Sequence, residues 1–154
     1  MRLTDLVTKE TVLLDLRAGT KPELLAELAG RASFLTRLDR MNIFRELLDH
    51  EARTSSGLGL GVAMPHARFK ELTTPVALFA KLRHQIDYHA LDKRPVDMLF
   101  MLLGPDPATA SYLNLLLSAS RALRDPATRQ ALREHFEPST IVAALHDNLI
   151  PVPH

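Results

Sequence analysis

Apolar residues along this chain change period several times, and each change marks an element. Thr11 to Leu16 (TVLLDL) is a short β-branched and apolar run ahead of Ala18-Gly19, and it reads as a strand. The period then lengthens. Thr20 and Glu23 stand at capping-box spacing, Pro22 suits a first turn, and Leu24, Leu25, Leu28, Ala29 and Ala32 form one stripe, predicting a helix with that face in the core. A second amphipathic helix is predicted from about Met41 to Glu51, with Ile43, Phe44, Leu47 and Leu48 inward. Pro75 to Leu82 again reads as a strand, and Ile86 to Pro95 as a turn-rich connection.

Val96 to Leu103 is the most apolar run. Met98-Leu99-Phe100-Met101-Leu102-Leu103 shows no alternation, is of strand length, and stops at Gly104-Pro105, so it predicts a central strand covered on both faces. Helices should therefore flank the sheet on both sides. Asp106-Pro107 has the arrangement of an N-cap followed by proline at the first helical position, with Leu113, Leu116, Leu117, Ser120 and Leu123 as the apolar face up to Arg124. Asp125-Pro126 repeats the start signal. Two short helices are predicted near 126–135 and 139–146, and the Pro151-Val152-Pro153-His154 end cannot continue one. This order of elements predicts an α/β fold with one mixed sheet between helical layers.

Composition narrows the partners. A chain of 154 residues is expected to form a single domain over 1–154. With 46% hydrophobic and 24% charged residues and a formal charge of +1, it offers no strongly basic face, which argues against nucleic acid. The absence of cysteine removes disulfides and thiolate metal sites. MRLTDLVTKE has no signal-peptide character, and no apolar run approaches the ~18 residues of a membrane span, so a soluble cytoplasmic protein is expected.

The candidate chemistry lies in Glu51 to Arg68, EARTSSGLGLGVAMPHAR. Gly57, Gly59 and Gly61 alternate with Leu58 and Leu60, a pattern that permits positive φ and close approach to a ligand before the run Val62-Ala63-Met64. Pro65 is expected to end a strand and present His66 on a rigid platform. The glycines form neither a dinucleotide fingerprint nor a P-loop. His84, His89, His135, His146 and His154 are scattered without metal-ligand spacing, so neither a metal nor a cofactor is expected.

This segment resembles the active-site signature of the fructose/mannitol-type enzyme IIA domains of the bacterial sugar phosphotransferase system, and most of all their standalone nitrogen-regulatory members. The signature positions are occupied by Glu51, Leu58, Gly59, Val62, Ala63, Met64, Pro65, His66 and Ala67. The apolar run from Pro95 and the helical segment after it extend the likeness. The resemblance implies a three-layer α/β/α fold and a phosphocarrier that accepts a phosphoryl group on His66 from an HPr-like protein, then regulates target proteins by its phosphorylation state. Ser55, Ser56 and the backbone of Gly57, Gly59 and Gly61 would cradle the phosphoryl oxygens in an anion-binding nest.

Two positions depart from that family. Its arginine, sixteen residues before the active histidine, is His50 here, with Arg53 one turn on and Arg68 a further candidate cation. Its second histidine aligns with Tyr112, whose phenol can donate to a phosphoryl oxygen but cannot become a cation near neutral pH. Two other readings stay open: an enzyme IIA-like binding module without phosphotransfer, and the sugar-specific IIA subunit of a fructose- or mannitol-type transporter.

Overall fold

A strand that carries apolar side chains on both faces is buried in the middle of a sheet, and Val96–Pro105, apolar throughout except for Asp97 and Gly104, takes that place as β6. A computed structural model describes residues 2–148. After two short 3-10 turns the chain runs β1 (Val12–Leu16), α1 (Lys21–Thr36), α2 (Arg40–Arg53), β2 (Gly57–Gly59), β3 (Val62–Ala63), β4 (His66–Phe69), β5 (Val76–Ile86), β6, α3 (Ala110–Arg124), α4 (Pro126–Glu134) and α5 (Pro138–Asn148). The Pro151 to His154 end lies outside the described residues.

The sheet is mixed, in the order β1-β5-β6-β3-β2, with β4 also paired to β6. β5 runs antiparallel to β6, whereas β3 and β4 both run parallel to it on its other side. Leu78, Ala80, Leu99 and Met101 point into one core with Leu24, Leu25 and Leu28 of α1 and Ile43 and Leu47 of α2. Phe79, Met98, Phe100 and Leu102 point into the other, under Leu115 of α3, Leu132 of α4 and Ile141 of α5. The alternation along β5 and β6 thus supplies two apolar faces, and the result is the three-layer α/β/α arrangement.

Local signals explain most boundaries. The Thr20 side chain accepts from the Glu23 amide at 3.3 Å, and Pro22 sits in the first turn of α1. Asp39 caps α2 by accepting from the Asn42 amide at 3.0 Å. Asp125 does the same for α4, from Thr128, also at 3.0 Å.

Four expectations are corrected. Gly104 and Pro105 do not stop the central strand but complete it, pairing with Arg68 and Phe69. β5 runs on through His84 and Gln85 to Ile86, beyond the predicted end at Leu82, because its last residue still finds Val96 across the ladder. Asp106-Pro107 does not open α3. Thr109 does, its hydroxyl accepting from the Tyr112 amide at 3.1 Å.

The face of α3 is also rotated from the predicted one. Leu113 and Leu117 are 54% and 42% exposed, while Tyr112, Leu115, Ser118, Ala119, Ala122 and Leu123 are buried. Both sets have helical spacing, so periodicity alone could not choose between them. Gly104 settles the choice: a Cβ there would lie 2.6 Å from Cγ of Tyr112, so the missing side chain is the space the phenol ring fills. Gly104→Ala should therefore destabilise by about 1–3 kcal/mol, seen as a lower denaturation midpoint with an unchanged slope.

Candidate functional site

The site begins where β3 gives way to β4. Both strands lean on β6, and the residues between them, Met64 and Pro65, make a jog in which the Pro65 carbonyl still accepts from the Leu102 amide at 3.1 Å. Proline needs no ladder partner for its nitrogen, which suits this break. The expectation that Pro65 closes a strand is therefore refined: β3 ends at Ala63, and His66 is the first residue of β4.

The jog also orients the imidazole. Nδ1 of His66 lies 2.8 Å from the Met64 carbonyl. A carbonyl can only accept, so Nδ1 carries the proton and Nε2 keeps its lone pair. Among the described residues Nε2 has no hydrogen-bond partner, and the ring is half-exposed on the wall of a depression of about 410 Å³.

His50, at the C-terminal end of α2, lies against it with ring centroids 4.3 Å apart and planes at 62°. Arg53 lies one turn further along the same helix, which does persist that far, and Arg68 lies two residues along β4 from His66. Arg53 and Arg68 line the depression together with Glu46 and Asp106, and Arg53 Nε donates to the Asp49 carbonyl at 3.3 Å. The Nδ1 atom of His50 is buried without a partner among the described residues. Desolvation holds the His50 imidazole below its ordinary value of 6.5, helped by His66, Arg53 and Arg68 and opposed by Glu51.

Tyr112 also lines the depression, but its hydroxyl turns inward to the carbonyls of Ala67 at 3.3 Å and Leu102 at 3.4 Å. Its single proton is thus committed to backbone, and burial pushes the phenol up and away from ionisation. The expected donation to a phosphoryl oxygen is not available from this rotamer.

The serine-glycine loop is likewise elsewhere. None of Ser55, Ser56, Gly57, Gly59 and Gly61 lines the depression. Gly59 and Gly61 do have positive φ, of 81° and 83°, but they build the tip of the β2–β3 hairpin, near Asp92, Asp97 and Arg133. The amides that the nest would need are already used locally, Gly57 donating to the Ser55 hydroxyl at 3.3 Å and Ser56 to the Glu51 carboxylate at 3.2 Å.

Ser56 has a different task, which the sequence did not disclose. Glu51, whose side chain is 5% exposed, forms an ion pair with Lys21 at 2.7 Å and accepts from the Tyr88 hydroxyl at 3.0 Å, the Ser56 amide at 3.2 Å and the Ser56 hydroxyl. The Ser56 carbonyl in turn accepts from the Met64 amide at 2.9 Å, and Met64 holds His66. A carboxylate on α2 is therefore linked to the imidazole through two residues, Ser56 and Met64. Glu51 was recognisable as a signature position, but Lys21 and Tyr88 are distant in sequence and carry no local signal. Glu46 was the one missed lining residue with a signal, four positions before His50 on the same helix face.

Among the described residues no helix is long and apolar enough to cross a membrane. The family model described as phosphoenolpyruvate-dependent sugar phosphotransferase system, EIIA 2, matches residues 5–148. A nitrogen regulatory protein of Bradyrhizobium diazoefficiens is 37% identical over 145 residues, covering 94% of this chain and 95% of that relative. The Pseudomonas aeruginosa nitrogen regulatory protein is 34% identical over 134 residues, 86% of this chain and 87% of its own length. Among solved structures, nitrogen regulatory protein IIA-Ntr from Neisseria meningitidis superposes with a TM-score of 0.88 at 26% identity, covering 93% of this chain and 98% of that one. The chain with its half-exposed His66 belongs to the type 2 enzyme IIA family of the phosphoenolpyruvate-dependent sugar phosphotransferase system.

Proposed function

We propose that this protein is a cytoplasmic, nitrogen-regulatory IIA-like phosphocarrier in which Nε2 of His66 accepts a phosphoryl group from a phosphohistidine on an HPr-like protein. The donor's N–P bond breaks as the Nε2–P bond forms, and Nδ1–H stays with the Met64 carbonyl, so no nucleotide or metal enters the balance. The observation that carries this reading is the Nδ1 contact at 2.8 Å, because it leaves the other nitrogen nucleophilic on an open wall. Arg53 and Arg68 supply cations for the phosphoryl oxygens. Exposed Leu113 and Leu117 lie on α3, whose first turns line the depression, and offer apolar area for a carrier protein to dock. The charge added at His66 would then alter which regulatory target binds.

The test is a purified phosphoenolpyruvate-driven relay read by intact mass. Wild type should gain one phosphoryl group, and failure to label it from a competent donor overturns the reading in favour of a binding module. A chase with a IIB protein separates regulation from sugar uptake, since only a transporter subunit passes the group onward efficiently.

His50 makes the unphosphorylated protein sensitive to acid. Its folded-state value lies below 6.5, so the unfolded chain binds more protons between the two values, and stability falls as pH drops through that window. Denaturant midpoints measured from pH 7 downward should decline less steeply in His50→Gln than in wild type. A phosphoryl dianion beside His50 reverses the sign by favouring imidazolium, so the phosphorylated form should lose less stability on acidification.

A further inference from the structure

A second depression, away from His66, lies at the other end of the central strand. Asp97 stands near the start of β6, whereas His66 pairs with Leu102, five residues and roughly 16 Å further along it. There a depression of about 340 Å³ is lined by Gly61, Gln85, Arg94, Asp97, Arg129 and Arg133.

The arginines are not equivalent. Arg133 is neutralised: it donates to both carboxylate oxygens of Asp97 at 3.0 Å and to the Leu60 carbonyl at 2.9 Å, so it clamps the hairpin tip to the strand. Arg129 is only 9% exposed, yet it makes a single hydrogen bond, to the Leu123 carbonyl at 3.1 Å, and has no ion-pair partner among the described residues. Asp125, one turn earlier, spends one carboxylate oxygen on the amide and hydroxyl of Thr128. Arg94 likewise has no ion pair among the described residues, and Asp92 beside it accepts from the amides of Leu60 and Arg94.

A guanidinium this buried is costly unless its charge and its donors are met. Among the described residues the one buried side-chain polar atom lacking a partner is His50 Nδ1, so the remaining N–H groups of Arg129 keep some contact with solvent, and Arg129 lines the depression. Asp125 and Asp92 lie near enough to feel the charges of Arg129 and Arg94 without ion-pair contact, and the two arginines line one polar hollow with Gln85, where the third arginine, Arg133, is already matched by Asp97. We infer that this hollow binds a small dianion carrying a phosphate group, held by Arg129 and Arg94 as a forked pair of charge-assisted donors.

Inorganic phosphate is the probe, titrated into the full ¹⁵N-labelled chain at ionic strength held constant with sodium chloride. Saturable shifts are expected at Gly61, Asp97 and the Arg129 side chain, and they should persist in His66→Ala. Arg129→Gln should weaken binding by about tenfold or more, and so should Arg94→Gln, an exposed change that leaves the fold intact. Both variants should accept phosphoryl groups on His66 as wild type does, which keeps this result independent of the carrier function. Shifts that stay linear in phosphate, that map only to the His66 depression, or that appear with succinate but not with phosphate would overturn the assignment.

Discussion

His66→Ala should lower phosphoryl uptake by more than about a thousandfold, because the substitution removes the bond-forming atom and not merely a stabilising contact. The stringent point is the neighbour. His50 stands 4.3 Å away, centroid to centroid, and in principle offers another imidazole. Among the described residues its Nδ1 is buried without a partner, and no carbonyl fixes its tautomer as Met64 fixes that of His66. It should therefore not substitute, and intact-mass analysis of His66→Ala should show no label while His50→Gln still labels. Label retained in His66→Ala and lost in His50→Gln would reverse the two roles.

The second large effect concerns stability and reaches the site indirectly. Glu51→Ala should cost about 3 kcal/mol or more, since the Lys21 ammonium, with its side chain 13% exposed, would lose its carboxylate, and Tyr88 and Ser56 would lose their acceptor. For a chain of this size that corresponds to a fall in melting temperature of about 10 °C. Lys21 sits over the Tyr88 ring, 4.2 Å from its centroid, so the cation keeps one favourable contact and the loss stays at the lower end for a broken buried pair. The double variant Lys21→Met/Glu51→Ala should recover part of the stability, because the stranded charge is gone.

Loosening Ser56 should also loosen Met64, and with it the acceptor for His66 Nδ1. Imidazole ¹⁵N shifts should then report a mixture of tautomers at His66, a readout that general destabilisation would not produce. Glu51→Gln, which can still accept from Ser56 and Tyr88, should retain more of the single tautomer than Glu51→Ala does. Equal tautomer populations in the two variants would remove Glu51 from the positioning of His66.

Patterns within a few residues were enough to settle a good deal about this protein. The unbroken run Met98 to Leu103 demanded a strand with helices on both faces, Thr20 and Asp125 announced their helices, and the signature from Glu51 to Ala67 singled out His66 and its family. Each of these signals is written in neighbours along the chain, where capping, periodicity and turn chemistry operate. Which of two equally spaced faces of α3 packs inward was not so written, because it depends on Gly104 meeting Tyr112 across the layers. The same holds for the serine-glycine loop, whose Ser56 amide is drawn to the Glu51 carboxylate of α2 and whose Gly59 and Gly61 turn toward Asp92 and Asp97, away from His66. Lys21, Glu51 and Tyr88 likewise converge only after α1, α2 and the segment after β5 have packed together, since a buried carboxylate takes its partners from whichever elements surround it.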